Sequence, residues 1–145
     1  KRDTNLNIGV SSKSGNMVFY KFFPDTLSTF SSDLANNYIK QGFVLEEKRK
    51  VRVIPLSKVL QKYCFGKSID FISVDTEGSD LEVLQSNDWE KFSPTLVCVE
   101  LTNHTSEELV DQKDRKCYDF LENKGYREVF RNKLNSVFEF QNKKL

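Results

Sequence analysis

Residues 69–84 read IDFISVDTEGSDLEVL, and this stretch indicates the fold class. Its first six residues form the most strand-like apolar run of the chain, and the acidic turn DTEG follows directly. A helix is predicted to begin near Ser79, because Leu81, Val83 and Leu84 then supply an apolar face. A buried strand that passes through a short turn into a helix is typical of α/β proteins.

The segments that follow predict more of the same architecture. A second buried-looking strand, a helix and two closing strands are expected at residues 95–100, 114–123, 126–130 and 136–140. Apolar strands that alternate with helices predict a mostly parallel sheet with both faces covered. The short connection between the last two strands predicts an antiparallel pair at the C-terminal side of this sheet.

The first half of the chain predicts shorter elements. Strands are expected at residues 6–10 and 17–22, and the turn residues between them favour a hairpin. A helix and a further strand are expected at residues 32–40 and 51–54. All of these elements are predicted to belong to a single domain over residues 1–145, because the chain is too short for two cores.

Composition narrows the class of protein. The net charge is +1, which gives no reason to expect a nucleic-acid partner, and 38% hydrophobic residues with 12 Phe predict a folded chain. No apolar run approaches the roughly 18 residues of a membrane helix, and no signal peptide is recognisable. The widely spaced Cys64, Cys98 and Cys117 fit neither a zinc site nor a disulfide framework. A cytoplasmic location is therefore expected.

The charge is distributed unevenly along the chain. Residues 1–67 contain 12 basic and 5 acidic side chains, whereas residues 68–145 contain 10 basic and 16 acidic ones. Two interpretations remain open. The two halves offset each other over one solvated surface, or acidic groups gather around a site in the second half.

Carboxylates follow two neighbouring strands of the predicted sheet. Asp75 and Glu77 come after the strand of residues 69–74, while Glu100 and His104 come at the end of the next strand. Ligands of open α/β sheets bind beyond the carboxyl ends of the strands, so these four side chains are expected to converge. As an alternative, Asp75 caps the following helix and Glu77 interacts favourably with its first turn. That alternative leaves Glu100 unexplained.

Two known acidic motifs fit the turn poorly. A calcium loop requires Glu at its twelfth position, where this chain has Ser86, and is rejected. A metal-dependent exonuclease of the DEDD type also has a strand that runs into Asp-x-Glu. That class requires further carboxylates and a suitably spaced His or Tyr. His104 lies seven residues before Asp111, which does not match, so the exonuclease is kept only as a less favoured alternative.

A third pattern covers most of the chain. Residues 69–84 resemble the signature of the FkbM family of methyltransferases, in which an apolar strand runs into Asp-x-Glu-Gly and a helix with Leu-x-Val-Leu spacing. Further segments similar to the family follow one another in the same order, at residues 7–19, 51–60, 88–94, 97–100 and 120–126. The resemblance spans roughly residues 5–140.

The resemblance implies a Rossmann-like methyltransferase that depends on S-adenosylmethionine. Members typically methylate a hydroxyl of a sugar, a glycan or a natural product, so a small-molecule or glycan acceptor is expected. By the resemblance, Asp75 lies nearest the methionine end of the cofactor, while Glu77 and Glu100 orient the acceptor or hold a divalent metal. His104 is a candidate base by its position. A base is useful because a sugar hydroxyl is a weak acid.

Ser28 and Thr29 match a Ser/Thr-containing segment of the family, which makes them candidates for substrate binding. One family feature is not found: none of the six glycines forms a glycine-rich cofactor loop after a strand. We therefore expect the C-terminal portion of a longer methyltransferase that lacks the N-terminal strands, exposes residues 69–74 as an apolar edge and binds the cofactor weakly or not at all. A non-catalytic module that recognises a glycan or a protein is the alternative.

Overall fold

The computed structural model describes residues 3–101 and 112–141, which form two β-sheets and four α-helices. The strands are β1 (Gly9–Val10), β2 (Gly15–Phe23), β3 (Val44–Ile54), β4 (Phe71–Val74), β5 (Leu96–Glu100), β6 (Tyr126–Arg131) and β7 (Asn135–Phe140). The helices are α1 (Ser32–Lys40), α2 (Leu56–Tyr63), α3 (Asp80–Gln85) and α4 (Gln112–Asn123), and a 3₁₀ turn covers Asp25–Leu27.

The expected α/β class is confirmed, but the expected mostly parallel sheet is not. One sheet has the order β1-β3-β2 and the other the order β4-β5-β7-β6. Among the described strands, only the β1–β3 and β4–β5 pairings are parallel, while the other three are antiparallel. The difference arises because β7 enters the second sheet between β5 and β6. The predicted antiparallel C-terminal pair, β6 with β7, is confirmed.

The hairpin predicted at the start of the chain is wrong. β2 pairs with β3 rather than with β1, and Met17 lies opposite Val51 in that pairing. The first half of β3 is highly charged and mostly exposed, so it lacks the alternation of apolar residues by which a strand is recognised. Cations on β3 instead contact aromatic rings on β2, with Lys48 Nζ lying 5.3 Å from the centre of the Tyr20 ring.

The main core lies in the second sheet and under α3 and α4. Buried apolar side chains from these strands and helices include Val74, Leu84, Val97, Leu121 and Phe138. Burial of these residues fixes the positions of β4 and β5, and therefore of their carboxyl ends.

A ring cluster closes one side of this core. The Trp89 ring lies 5.9 Å from Phe120 and 5.4 Å from Tyr126, both edge-on. The Tyr126 hydroxyl donates a hydrogen bond of 2.7 Å to the carbonyl of Pro94, just before β5 begins. This contact ties β6 to the entry of β5.

β4 is an edge strand of the described sheet, and Phe71 at its start is 51% exposed. The expected apolar edge is therefore present. Within the described ranges, no helix has the length and apolar character needed to cross a bilayer.

Candidate functional site

The carboxyl ends of β4 and β5 lie side by side because Val74 and Val99 are parallel partners. Asp75 follows β4 directly, and Glu100 is the last residue of β5. One carboxylate oxygen from each of Asp75, Glu77 and Glu100 lies within 4.8 Å of the others. The predicted convergence of these three residues, here called the acidic trio, is confirmed. His104 lies outside the described residues.

The turn after β4 has an unusual backbone. Glu77 has a φ of +48° and Gly78 a φ of +95°, so two consecutive residues occupy the left-handed region. Glycine adopts this region freely, but for glutamate it carries a steric cost. The two residues lie between the end of β4 and the start of α3.

The helix-cap interpretation of Asp75 is wrong. The N-cap of α3 is Ser79, four residues later. Within this turn, the backbone N–H of Thr76 donates a hydrogen bond of 3.1 Å to the carboxylate of Asp80. Asp75 is therefore not required for starting the helix.

Burial and like charges weaken the acidity of the site. The pKa of Glu100 is raised to about 7, first by burial and then by the charges of Asp75 and Glu77. The pKa of Glu77 is also raised, by burial and by the charges of Asp75 and Asp80. Near neutral pH, Glu100 therefore exists in both its protonated and its ionised form. A carboxyl group in this state can accept or donate a proton.

Two cavities flank the acidic trio. The larger, of about 670 Å³, is lined by Glu100, Tyr38 and the helix residues Asp80 and Glu82, among others. The smaller, of about 400 Å³, contains Asp75 in its wall and is otherwise more apolar. Glu77 lines both cavities, as do Phe30 and Ser79. Glu77 thus stands at the boundary between the two spaces.

A second carboxylate contact ties the two halves of the chain together. Glu82 Oε1 accepts hydrogen bonds from the hydroxyl of Ser11 at 2.6 Å and from the N–H and hydroxyl of Ser12 at 2.9 and 2.8 Å. These bonds lower the pKa of Glu82. Sequence reasoning missed this contact, because its partners are about 70 residues apart. A local pattern carries no signal for a contact at that separation.

Ser28 and Thr29 lie next to the acidic turn, in the wall of the smaller cavity. The Ser28 hydroxyl accepts a hydrogen bond from the N–H of Phe22 at 3.1 Å. Thr29 is 1% exposed, and its hydroxyl donates to the carbonyl of Glu77 at 3.0 Å. Their predicted role in substrate binding stays a prediction. The structure does bring them to the predicted site.

Carboxylate oxygens of the acidic trio are the kind of ligand that Mg²⁺ and Ca²⁺ prefer. Their mutual separation of 4.8 Å or less is compatible with contact to one cation. The same three groups also suit proton transfer, since one of them has a pKa of about 7.

Comparison with known proteins identifies the family. The family model described as the methyltransferase FkbM domain matches residues 1–128, which include β4, β5 and the whole acidic trio. No curated protein and no solved structure gave a match. The matched region covers most of the chain and holds the carboxylates whose positions follow the family signature. The chain therefore belongs to the FkbM methyltransferase family.

Proposed function

We propose that this chain transfers a methyl group from S-adenosylmethionine to a hydroxyl of a sugar, a glycan or a natural product, within a Rossmann-like methyltransferase domain. The observation that carries the proposal is the acidic trio between two cavities in a member of the FkbM family. Three of the four strands in the second sheet run in the same direction, with β7 reversed, which agrees with such a domain.

The smaller cavity suits the methyl donor. When bound, S-adenosylmethionine supplies a methyl group activated by a positively charged sulfur. Asp75 lies in the wall of this cavity and offers a carboxylate to the cationic methionine end, while Phe19 and Phe30 provide apolar surface. The carboxylate and the aromatic rings in the wall of this cavity thus suit a ligand that is cationic at one end and aromatic at the other.

The larger cavity suits the acceptor. Glu100 lines it, and a carboxylate with a pKa of about 7 can remove the proton of an acceptor hydroxyl. Burial and the charges of Glu77 and Glu100 raise the pKa of Tyr38, which lines the same cavity, so its phenol stays protonated and can orient the acceptor oxygen. Asp75 would hold the methionine end of the donor, whose sulfonium would supply the methyl group and keep the electron pair of the broken carbon–sulfur bond, and Glu100 would take the proton that the acceptor hydroxyl loses.

The experiment supplies methyl-labelled S-adenosylmethionine at high concentration with a panel of sugar and glycan acceptors. Labelled product is measured by mass spectrometry. Glu100→Gln is expected to abolish transfer while donor binding by calorimetry is unchanged, and the exposed Glu90→Gln serves as the matched control. Transfer that survives in Glu100→Gln would contradict the assigned base.

Donor binding is a separate expectation. Because the sequence contains no glycine-rich turn after a strand, we expect this chain to bind the donor weakly or not at all. Calorimetric titration that gives a micromolar dissociation constant would contradict that expectation. The second candidate is a module that uses the two cavities to bind a glycan without catalysis. Glycan binding without label transfer would support the module. The cytoplasmic location stays a prediction.

A further inference from the structure

Thr29 is held rigidly in the first half of the chain. Its N–H and carbonyl both form hydrogen bonds with the backbone of Tyr20 on β2, at 3.1 and 2.9 Å. Its hydroxyl accepts the N–H of Ser31 at 3.0 Å, just before α1 begins. Since the residue is 1% exposed, the backbone and the hydroxyl are both fixed by their surroundings.

The same hydroxyl reaches the acidic turn 48 residues away. Thr29 Oγ1 donates a hydrogen bond of 3.0 Å to the carbonyl of Glu77. A hydroxyl has one proton to donate, and this bond uses it. The contact therefore joins Thr29, whose backbone is bonded to β2, to Glu77, whose backbone lies in the left-handed region.

Glu77 needs such a contact. A glutamate at φ +48° is strained, and such a conformation persists only where surrounding contacts enforce it. Rotation of the Glu77 backbone to the ordinary negative-φ region would redirect its side chain. It would then leave the position where its carboxylate lies within 4.8 Å of those of Asp75 and Glu100.

We propose that Thr29 is a positioning residue, whose hydroxyl holds the Glu77 peptide in the left-handed conformation and thereby keeps the Glu77 carboxylate in the acidic trio. Thr29 itself does not take part in the proton transfer. The role of the acidic trio in methyl transfer rests on the proposed function. The position of the Glu77 carboxylate within the trio does not depend on it.

Three variants separate the hydroxyl from general effects on the loop. Thr29→Val has nearly the same shape but lacks the hydroxyl, whereas Thr29→Ser retains it. Ser31→Ala is the matched control, because it removes the side-chain acceptor for the N–H of Leu34 at the start of α1 and leaves the Thr29–Glu77 bond in place.

The measurements are crystal structures of the three variants and the NMR three-bond coupling between the amide and α protons of Glu77. In Thr29→Val, we expect Glu77 to adopt a negative φ and its carboxylate to leave the trio. Thr29→Ser and Ser31→Ala should retain the native φ and separation. In the methyl-transfer assay, kcat of Thr29→Val should fall about 10- to 100-fold, with KM for the donor unchanged and with recovery in Thr29→Ser.

Three results would overturn the inference: a native Glu77 conformation in Thr29→Val, an equal displacement in Ser31→Ala, or a Thr29→Val chain that does not fold. The last would make Thr29 a residue of the folding core. Both structural measurements are independent of catalysis. A native chain that transfers no methyl group would therefore contradict the proposed function and leave the positioning role to be decided by φ and distance.

Discussion

At alkaline pH, the Glu100→Gln variant should be more stable than the native chain. The folded chain raises the pKa of Glu100 from 4.5 to about 7, so a proton is retained there over a range in which the unfolded chain releases it. The stability of the native chain therefore falls as pH rises from about 4.5 to about 7. A glutamine side chain is not ionised at any pH in this range, so Glu100→Gln should escape that loss.

The magnitude follows from the size of the pKa change. One pH unit corresponds to about 1.4 kcal/mol, which sets an upper limit of roughly 3 kcal/mol for a carboxyl moved from 4.5 to about 7. Glu100 is only partly buried, and solvent screening reduces the expected effect to about 1–2 kcal/mol. Burial is the largest cause of the raised pKa, followed by repulsion from Asp75 and Glu77, a hydrogen bond with Asp75 and repulsion from Asp80.

Urea denaturation at pH 5 and pH 8 provides the assay. Trp89 is the single tryptophan and packs edge-on against Phe120 and Tyr126, so its fluorescence should report loss of the main core. The free energy of unfolding of Glu100→Gln should exceed that of the native chain by about 1–2 kcal/mol at pH 8 and by a few tenths at pH 5.

Glu90→Gln again serves as control, because Glu90 is exposed and lies outside both cavities. Its free energy of unfolding should stay close to the native value at both pH values. The reasoning would be refuted by a Glu100→Gln variant that is no more stable than the native chain at pH 8. A gain of equal size at both pH values would also refute it, since ionisation would then play no part.

Two further variants test the contacts that hold the site in place. Glu82→Gln should destabilise the protein by about 1–2 kcal/mol at pH 7, because the hydrogen bonds from Ser11 and Ser12 lose a charged acceptor. Since these bonds lower the pKa of Glu82, the difference from the native chain should shrink as pH falls through and below 4.5, and urea titration at pH 7 and pH 3.5 checks this. Tyr126→Phe should cost about 1–2 kcal/mol by leaving the carbonyl of Pro94 without its donor, measured as a lower urea midpoint with an unchanged m-value. Equal stability of either variant and the native chain would contradict the corresponding contact.

The central part of the site could be predicted from the sequence because its signals are local. The apolar pattern marks where β4 and β5 end, and adjacent parallel strands bring their carboxyl ends to one edge. These two facts suffice to bring Asp75 and Glu100 together. The register of Val74 against Val99 then confirms the expectation.

The rest of the fold depends on contacts that leave no local pattern. The first half of β3 is stabilised across the sheet by cation–ring contacts such as Arg49 with Phe19, so its sequence does not alternate between apolar and polar residues. β7 lies between β5 and β6, and a pattern of apolar residues does not specify the order of strands in a sheet. The mixed sheets could therefore not be predicted by the same reasoning.

The uneven charge along the chain now has a structural interpretation. Glu77, Asp80, Glu82 and Glu100 line one cavity, so acidic groups of the second half do gather around a site. Within the described ranges, no lysine or arginine forms a salt bridge with the acidic trio. The basic first half instead contacts this region through neutral hydroxyl groups, with Thr29 on Glu77 and the two serines on Glu82. A cation at those positions would lower the pKa of a neighbouring carboxyl group. Hydroxyl groups hold the site in place while the pKa of Glu100 stays near neutrality, which suits the proton transfer proposed above.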